Sequence, residues 1–126
     1  MFAAPKIHHA ALRASQECRN YKRIIEIKER IEHNLGQTLI VNQLAKEFHL
    51  SPLELQEGFK QVVGSTVYRY IRQQRMKKAS QLLQTTNFSI TRIANEVGYD
   101  NPSKFTSAFK KIMFETPYEY RKKFQE

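Results

Sequence analysis

The chain has 126 residues, with 21 lysines and arginines against 12 aspartates and glutamates and a formal net charge of +9. That length is one domain, or two very small ones packed together, and a hydrophobic content of 40% is too high for a disordered tail. No apolar run approaches the ~18–20 residues that span a bilayer, nothing at the start reads as a cleaved signal peptide, and a lone Cys18 can make no internal disulfide, which fits a reducing cytoplasm. The charge is concentrated. Thirteen basic and five acidic residues lie from Gly58 to Glu126, against eight and seven before them. Such a field suits a polyanion, most often nucleic acid, with an ordinary basic surface as the plainer alternative.

The first twenty residues carry little signal. Pro5, His8, His9, Ala10, Ala11 and Ala14 are compatible with a loose helix, a frayed tail or the end of an upstream segment. A clear helix follows, with Ile24, Ile27, Ile31 and Leu35 at spacings of 3, 4 and 4 and charged residues between them. Asn34 and Gly36 are its expected terminators. Thr38 is the expected cap of a short helix containing Val41, Leu44, Ala45 and Phe48. Ser51-Pro52 with Glu54 predicts the next helix start, carrying Leu55, Phe59, Val62 and Val63 as far as Gly64. Thr66 to about Gln84 reads as a longer helix, with Val67, Tyr70, Ile71, Ala79, Leu82 and Leu83 inside. Ser89 caps a helix with Ile90, Ile93, Ala94 and Val97 inside and Gly98 at its end. Asn101-Pro102 starts another, with Phe105, Ala108, Phe109 and Ile112, and Thr116-Pro117 starts a last one running through Phe124. No run of alternating β-branched residues is present, so the expected class is all-α with about seven helices.

The pattern occurs twice. Leu44, Ala45 and Phe48 return 49 residues later as Ile93, Ala94 and Val97. Leu55, Phe59, Val62, Val63, Thr66 and Tyr70 return 50 residues later as Phe105, Phe109, Ile112, Met113, Thr116 and Tyr120. The one-residue change of offset falls between Val97 and Phe105, where a length change costs least. Each copy is a short helix, a tight turn and a second helix. A helix-turn-helix needs a small residue where its helices cross and a residue tolerant of positive φ in its turn. Ala45 and Ala94 supply the first, His49 and Gly98 the second. A helical hairpin inside any bundle is the plainer reading of one copy; two copies on a chain this basic favour DNA binding. The expected organisation is residues 1–20 as a tail or the end of an upstream segment, 21–65 as a first helix-turn-helix subdomain, 66–84 as a linker helix and 85–126 as a second subdomain.

The second helix of each copy is then the reader. With its apolar stripe inside, the first leaves Leu53, Glu54, Gln56, Glu57 and Lys60 outside, and the second leaves Ser103, Lys104, Thr106, Ser107 and Lys110. Expected base readers are Leu53, Glu54, Gln56 and Glu57 in copy one and Ser103, Lys104, Thr106 and Ser107 in copy two. Gln56 can pair with adenine, Glu57 accept from cytosine and Lys104 donate to guanine. Glu54 and Glu57 would repel phosphates unless they reach a cytosine, pair with a cation or point away. Phosphate contacts are expected from Lys60, Arg69, Arg72, Lys77 and Lys78, and from Arg92, Lys110, Lys111 and Arg121 in the second copy, with backbone amides at Ser51, Ser89 and Thr116 in support. For any one of these residues a solvated helix face is the competing reading. The ~19-residue connecting helix spans ~28 Å, against ~34 Å between successive major grooves on one DNA face. One chain would therefore cover two half-sites, with tilt or DNA bending making up the difference.

Other classes fare less well. No Gly-rich phosphate loop or nucleophile–base spacing supports an enzyme. His8, His9 and Cys18 lack metal-site spacing, so neither metal nor cofactor is expected. A helical protein-interaction adaptor with an incidental basic surface would explain a bundle but not the duplicated motif. RNA binding lacks an exposed aromatic platform, because the aromatics fall mostly at core spacing.

The segment IANEVGYDNPSKFTSAFKK followed by TPYEYR, together with LAKEFHLSPLELQEGFKQVVGSTVYRYIRQQRM before it, resembles the C-terminal DNA-binding domain of AraC/XylS-type bacterial transcription regulators from about Leu39 to Lys123. The resemblance implies two helix-turn-helix subdomains joined by a long helix, entering adjacent major grooves of double-stranded DNA, usually as an activator that works with RNA polymerase. It also implies that the exposed faces named above do the reading. Gly58-Phe59 and Asn101-Pro102-Ser103 resemble regulators of iron-siderophore genes within that family. The chain departs from the pattern at three places. Met113-Phe114 replaces the usual Phe-Gly, Val67 replaces a proline, and Glu57 and Ser107 stand where reader arginines are frequent. Phe114 is therefore expected where positive φ is needed. Family members usually carry a separate N-terminal sensing domain. This length matches free-standing members, and the indistinct first twenty residues equally suit an excised domain. No small-molecule effector is expected within these residues.

Overall fold

The computed structural model describes the backbone of residues 3–125 and the side chains of Glu17 and residues 19–125. Among the described residues there are seven helices and no strand, as the sequence predicts: α1 (Ala3–Glu32), α2 (Val41–Glu47), α3 (Pro52–Val63), α4 (Val67–Thr85), α5 (Ile90–Glu96), α6 (Pro102–Met113) and α7 (Pro117–Lys122). Helix α1 is continuous over 30 residues, through a stretch whose sequence leaves its state open. The side chains of His8, His9 and Cys18 lie outside the described residues. No group of three potential metal ligands occurs among the rest.

The chain divides into two compact units. One takes the chain up to Arg30 together with Val41–Val67, and the other takes Ile31–Ile40 together with Tyr68–Glu126. In the first, Ile24 and Ile27 of α1, Leu44 and Ala45 of α2, and Leu55 and Phe59 of α3 are buried. Gly58 lets α3 lie against the Ile24 side chain, with an added Cβ 3.1 Å from Cδ1. Arg30 Nε donates to Glu47 Oε1 at 3.3 Å, tying α1 to the end of α2.

The core of the second unit gathers Met76, Ala79 and Leu83 of α4, Ile93, Ala94 and Val97 around α5, and Phe105 and Phe109 of α6. An aromatic chain runs through it from Tyr99 to Phe105, Phe109, Tyr120 and Phe124, with centroids 5.1–5.9 Å apart. Such pairs add about 0.5–1.5 kcal/mol each beyond burial. Met76, on the same stripe as Ala79 and Leu83, is the core member that the sequence reading left out.

The two turns are built alike. In the first, the N–H of His49 donates to Lys46 O and that of Leu50 to Ala45 O at 2.8 Å. In the second, Gly98 donates to Asn95 O and Tyr99 to Ala94 O, again at 2.8 Å. Both are the nested bonds of a left-handed helix cap. His49 and Gly98 have φ of 58° and 91°, as their place in the repeat requires. Asp100 is the extra residue of the second turn.

Candidate nucleic-acid interface

Capping geometry sets the start of each reader helix. The Ser51 hydroxyl accepts from the Glu54 N–H and Glu54 Oε1 accepts from the Ser51 N–H, both at 3.0 Å, with Pro52 in the first turn of α3. In α6, Asn101 Oδ1 accepts from the N–H groups of Ser103 and Lys104 at 2.7 and 3.2 Å, ahead of Pro102 in the first turn. Ser89 and Thr116 cap α5 and α7 in the same way. Helix α2 differs from expectation. It begins at Val41, so its cap position falls on Ile40, whose side chain has no oxygen to offer, and Thr38 lies too far upstream.

From those starts each reader turns one face inward and one outward. Leu55 and Phe59 of α3, and Phe105 and Phe109 of α6, are buried. Leu53, Gln56, Glu57 and Lys60 stand exposed on α3, with Leu53 at 62%. Ser103, Lys104, Ser107 and Lys110 stand exposed on α6, and Thr106 is half-buried. Helix α6 carries three lysines and no carboxylate, whereas α3 carries one lysine and two glutamates.

Among the expected contact residues, Glu54 and Arg121 have their polar groups engaged in holding the fold. Glu54 is the carboxylate of the capping box. The Ser51 backbone N–H, then its hydroxyl, and then the charge of Arg23 hold its carboxyl below the ordinary value. Arg121 donates from Nε to Leu83 O (3.3 Å), from Nη1 to Phe88 O (2.7 Å) and from Nη2 to Thr86 O (3.2 Å). Its guanidinium thus fastens α7 to the segment that leaves α4. The capping oxygens likewise occupy one backbone amide at each of Ser51, Ser89 and Thr116, leaving fewer for an anion. Among the remaining cations, Arg92 lies over the Phe88 ring, its Cζ 3.5 Å from the centroid, and Lys78 Nζ donates to Glu96 O at 3.4 Å. Lys60, Arg69, Lys77, Lys110 and Lys111 are exposed and Arg72 is half-buried.

The second unit brings several of these together. Tyr68, Arg69, Arg72 and Gln73 of α4, with Lys111 and Ile112 of α6, line an open cavity of about 500 Å³. Tyr68, Arg72 and Lys111 also line a neighbouring one of about 530 Å³, with Tyr99, Ser103, Lys104, Ser107 and Ala108. Three of the four expected base readers of copy two, and Arg69, Arg72 and Lys111 of the phosphate set, therefore share one cleft. The sequence reading missed Tyr68 and Tyr99 there. The available signal was the spacing of Tyr68 and Arg72, four apart on one face of α4. Burial raises the Tyr99 phenol above its ordinary value, against the opposing charges of Arg75 and Arg72, so its hydroxyl stays a donor at neutral pH. Arg75, also missed, donates from Nε to Leu35 O (3.1 Å) and from Nη2 to Gln37 O (2.9 Å), while its guanidinium lies 5.8 Å from the Tyr99 ring centroid.

Residues 44–123 match the helix-turn-helix domain family. The Msm operon regulatory protein of Streptococcus mutans is 34% identical over 100 residues, which are 79% of this chain but 36% of that protein. The C-terminal domain of AraT, a response regulator from Geobacillus stearothermophilus, has a TM-score of 0.78 at 32% identity, covering 80% of this chain and 84% of that one. A transcriptional regulator with an AraC-type DNA-binding domain from Chromobacterium violaceum has a TM-score of 0.75 at 28% identity, covering 83% and 94%. The solved relatives share this fold, and the proteins matched are regulators rather than enzymes. The chain belongs to the AraC/XylS family of helix-turn-helix DNA-binding regulator domains.

Proposed function

We propose that the chain binds double-stranded DNA sequence-specifically and regulates transcription by inserting α3 and α6 into adjacent major grooves. One observation carries this reading: both helices bury one face and present another that is polar apart from Leu53 and the first-turn prolines, as major-groove readout requires. Base contacts fall to Leu53, Gln56 and Glu57 on α3 and to Ser103, Lys104, Thr106 and Ser107 on α6. Phosphate contacts fall to Lys60, Arg69, Arg72, Lys77 and Lys78, and to Arg92, Lys110 and Lys111. Glu54 and Arg121 keep their structural tasks in this proposal. Support for two grooves comes from the duplication and from α4, whose 19 residues span about 28 Å. In this reading the chain acts in the cytoplasm, as an activator in concert with RNA polymerase, with no small-molecule effector bound by these residues. No helix of the described residues is long and apolar enough to cross a membrane.

The test is duplex affinity against salt, using a 40-base-pair duplex selected by the protein from a random pool and a scrambled control. A DNA reader shows a log–log slope of several units and a large selected-to-scrambled ratio. Gln56→Ala and Lys104→Ala relax base preference, whereas Arg72→Ala weakens every sequence alike. Equal losses on all DNA from all three substitutions refute the assignment of readers. Protection of a single groove in footprinting refutes the two-groove geometry.

A further inference from the structure

We infer that the cleft between the N-terminal half of α4 and α6 seats the sugar–phosphate backbone of one strand of duplex DNA, with Tyr68 as a contact that α4 adds to the reader helix. The inference rests on the DNA-binding reading and extends it to residues outside the motif. The walls are two helical stripes. Tyr68 and Arg72 lie four apart on α4; Lys104, Ser107 and Lys111 lie three and four apart on α6. Tyr68, Arg72 and Lys111 line both halves of the cleft, so it is one trough divided by those three side chains.

Its chemistry matches a phosphodiester strand and not a protein or lipid surface. Four cations line it, Arg69, Arg72, Lys104 and Lys111, and no carboxylate does. Serine and tyrosine hydroxyls add neutral donors, with that of Tyr99 held protonated. The Tyr68 ring, Ala108 and Ile112 supply the apolar surface that a deoxyribose needs. Tyr68 is 71% exposed, and no ring contact holds it among the described residues. A large aromatic on the wet side of a polar helix fits a contact residue better than a packing residue. The occupant is extended, because the residues expected to read bases line the same trough as the cations. A strand whose bases lie under α6 brings its own backbone past Tyr68 and Lys111. A small free anion would need only one end of the trough.

The experiment measures anisotropy of the selected and scrambled 40-base-pair duplexes with the full chain and with Tyr68→Phe, Tyr68→Ala, Lys111→Met and Tyr118→Phe. Thermal melts confirm that each variant folds. Tyr118 is the control, equally exposed at 69% at the repeat-equivalent place in α7 and absent from this cleft. Tyr68→Phe should weaken binding about 3–10-fold on both duplexes without changing the salt slope, because a neutral donor is lost. Tyr68→Ala should weaken it further. Lys111→Met should lower the slope by about 0.9, the value of one phosphate contact. Tyr118→Phe should stay within about twofold of the parent. If both Tyr68 variants bind like the parent while the parent still prefers the selected duplex, this inference falls and the DNA-binding reading stands. If the parent shows no preference, both fall. If inorganic phosphate alone raises the melting temperature of the parent but not of Lys111→Met, and Tyr68→Phe leaves duplex binding intact, the trough holds a small anion and the inference is overturned.

Discussion

Gly98 and Gly64 have almost the same backbone, φ 91° and 90°, yet alanine should cost far more at the first. At Gly64 an added Cβ meets nothing within 4 Å, so the penalty is the left-handed conformation alone. That is about 1–2 kcal/mol, offset by about 0.4–1 kcal/mol from the stiffer unfolded chain. At Gly98 the same Cβ would lie 2.4 Å from Leu35 O and 2.9 Å from Cζ and Nε of Arg75. Neither neighbour can retreat freely, because Arg75 Nε is donating to that oxygen at 3.1 Å. Breaking one charge-assisted bond costs about 1.5–3 kcal/mol. The unfolded-chain offset is common to both substitutions and cancels in the comparison. Gly98→Ala should therefore be about 2 kcal/mol worse than Gly64→Ala, a gap of about 8 °C in melting temperature for a chain of this size. Thermal unfolding followed by circular dichroism reads it. An Arg75→Met background should shrink the excess, since Leu35 O is then free to move. Equal losses at both glycines, or an excess that survives in that background, would refute the role given to the Arg75 clamp.

Phe114→Gly should raise the melting temperature by about 2–4 °C, because φ is 66° there and the ring is 89% exposed, so relief of backbone strain outweighs lost burial; a fall would mean that the ring packs on something. Arg121→Met should destabilise the fold by about 2 kcal/mol or more while leaving the salt slope of duplex binding unchanged, whereas Arg72→Met should do the reverse; a slope reduced by about 0.9 in Arg121→Met would restore Arg121 to the phosphate set. Glu54→Gln keeps the capping acceptor and loses its charge. Because the folded-state carboxyl lies below the ordinary value of 4.5, its contribution to stability is present above that pH and disappears as pH falls through the lowered value. The melting-temperature advantage of the parent over Glu54→Gln should thus be present near pH 7 and shrink as pH falls below 4.5, and a pH-independent difference would contradict the assignment.

Helix starts were legible because their chemistry is local. Ser51, Ser89, Asn101 and Thr116 each satisfy amides within three residues, and no distant residue can alter that. The reader faces were legible because an inward stripe of Leu55 and Phe59, or of Phe105 and Phe109, leaves one opposite face for the polar residues. The arginines were not legible. Arg69, Arg72, Arg75 and Arg121 look alike in sequence, and what separates them is which carbonyls lie within reach across 33–40 residues of chain. A guanidinium has five donors, so one that meets two or three carbonyls is a fastener whatever the surrounding charge suggests. Met76 is a different case. It stands three residues before Ala79 and seven before Leu83, so the helical spacing was present and the sequence reading passed over it.

The four left-handed cap positions show why a repeat can drift in sequence without drifting in shape. His49 and Gly98 close equivalent turns, and Gly64 and Phe114 close equivalent helices, all with φ between 58° and 91°. A side chain is tolerated wherever the Cβ points into open water. His49 and Phe114 are exposed, and Gly64 has empty space where a Cβ would stand, so losing glycine there costs only the backbone strain of about 1–2 kcal/mol, less the unfolded-chain offset. Only at Gly98 does another segment, the Leu35–Gln37 turn held by Arg75, occupy the place of the Cβ. The backbone conformation is therefore shared by both copies, but the requirement for glycine belongs to one. It comes from a contact that the turn makes and not from the turn itself.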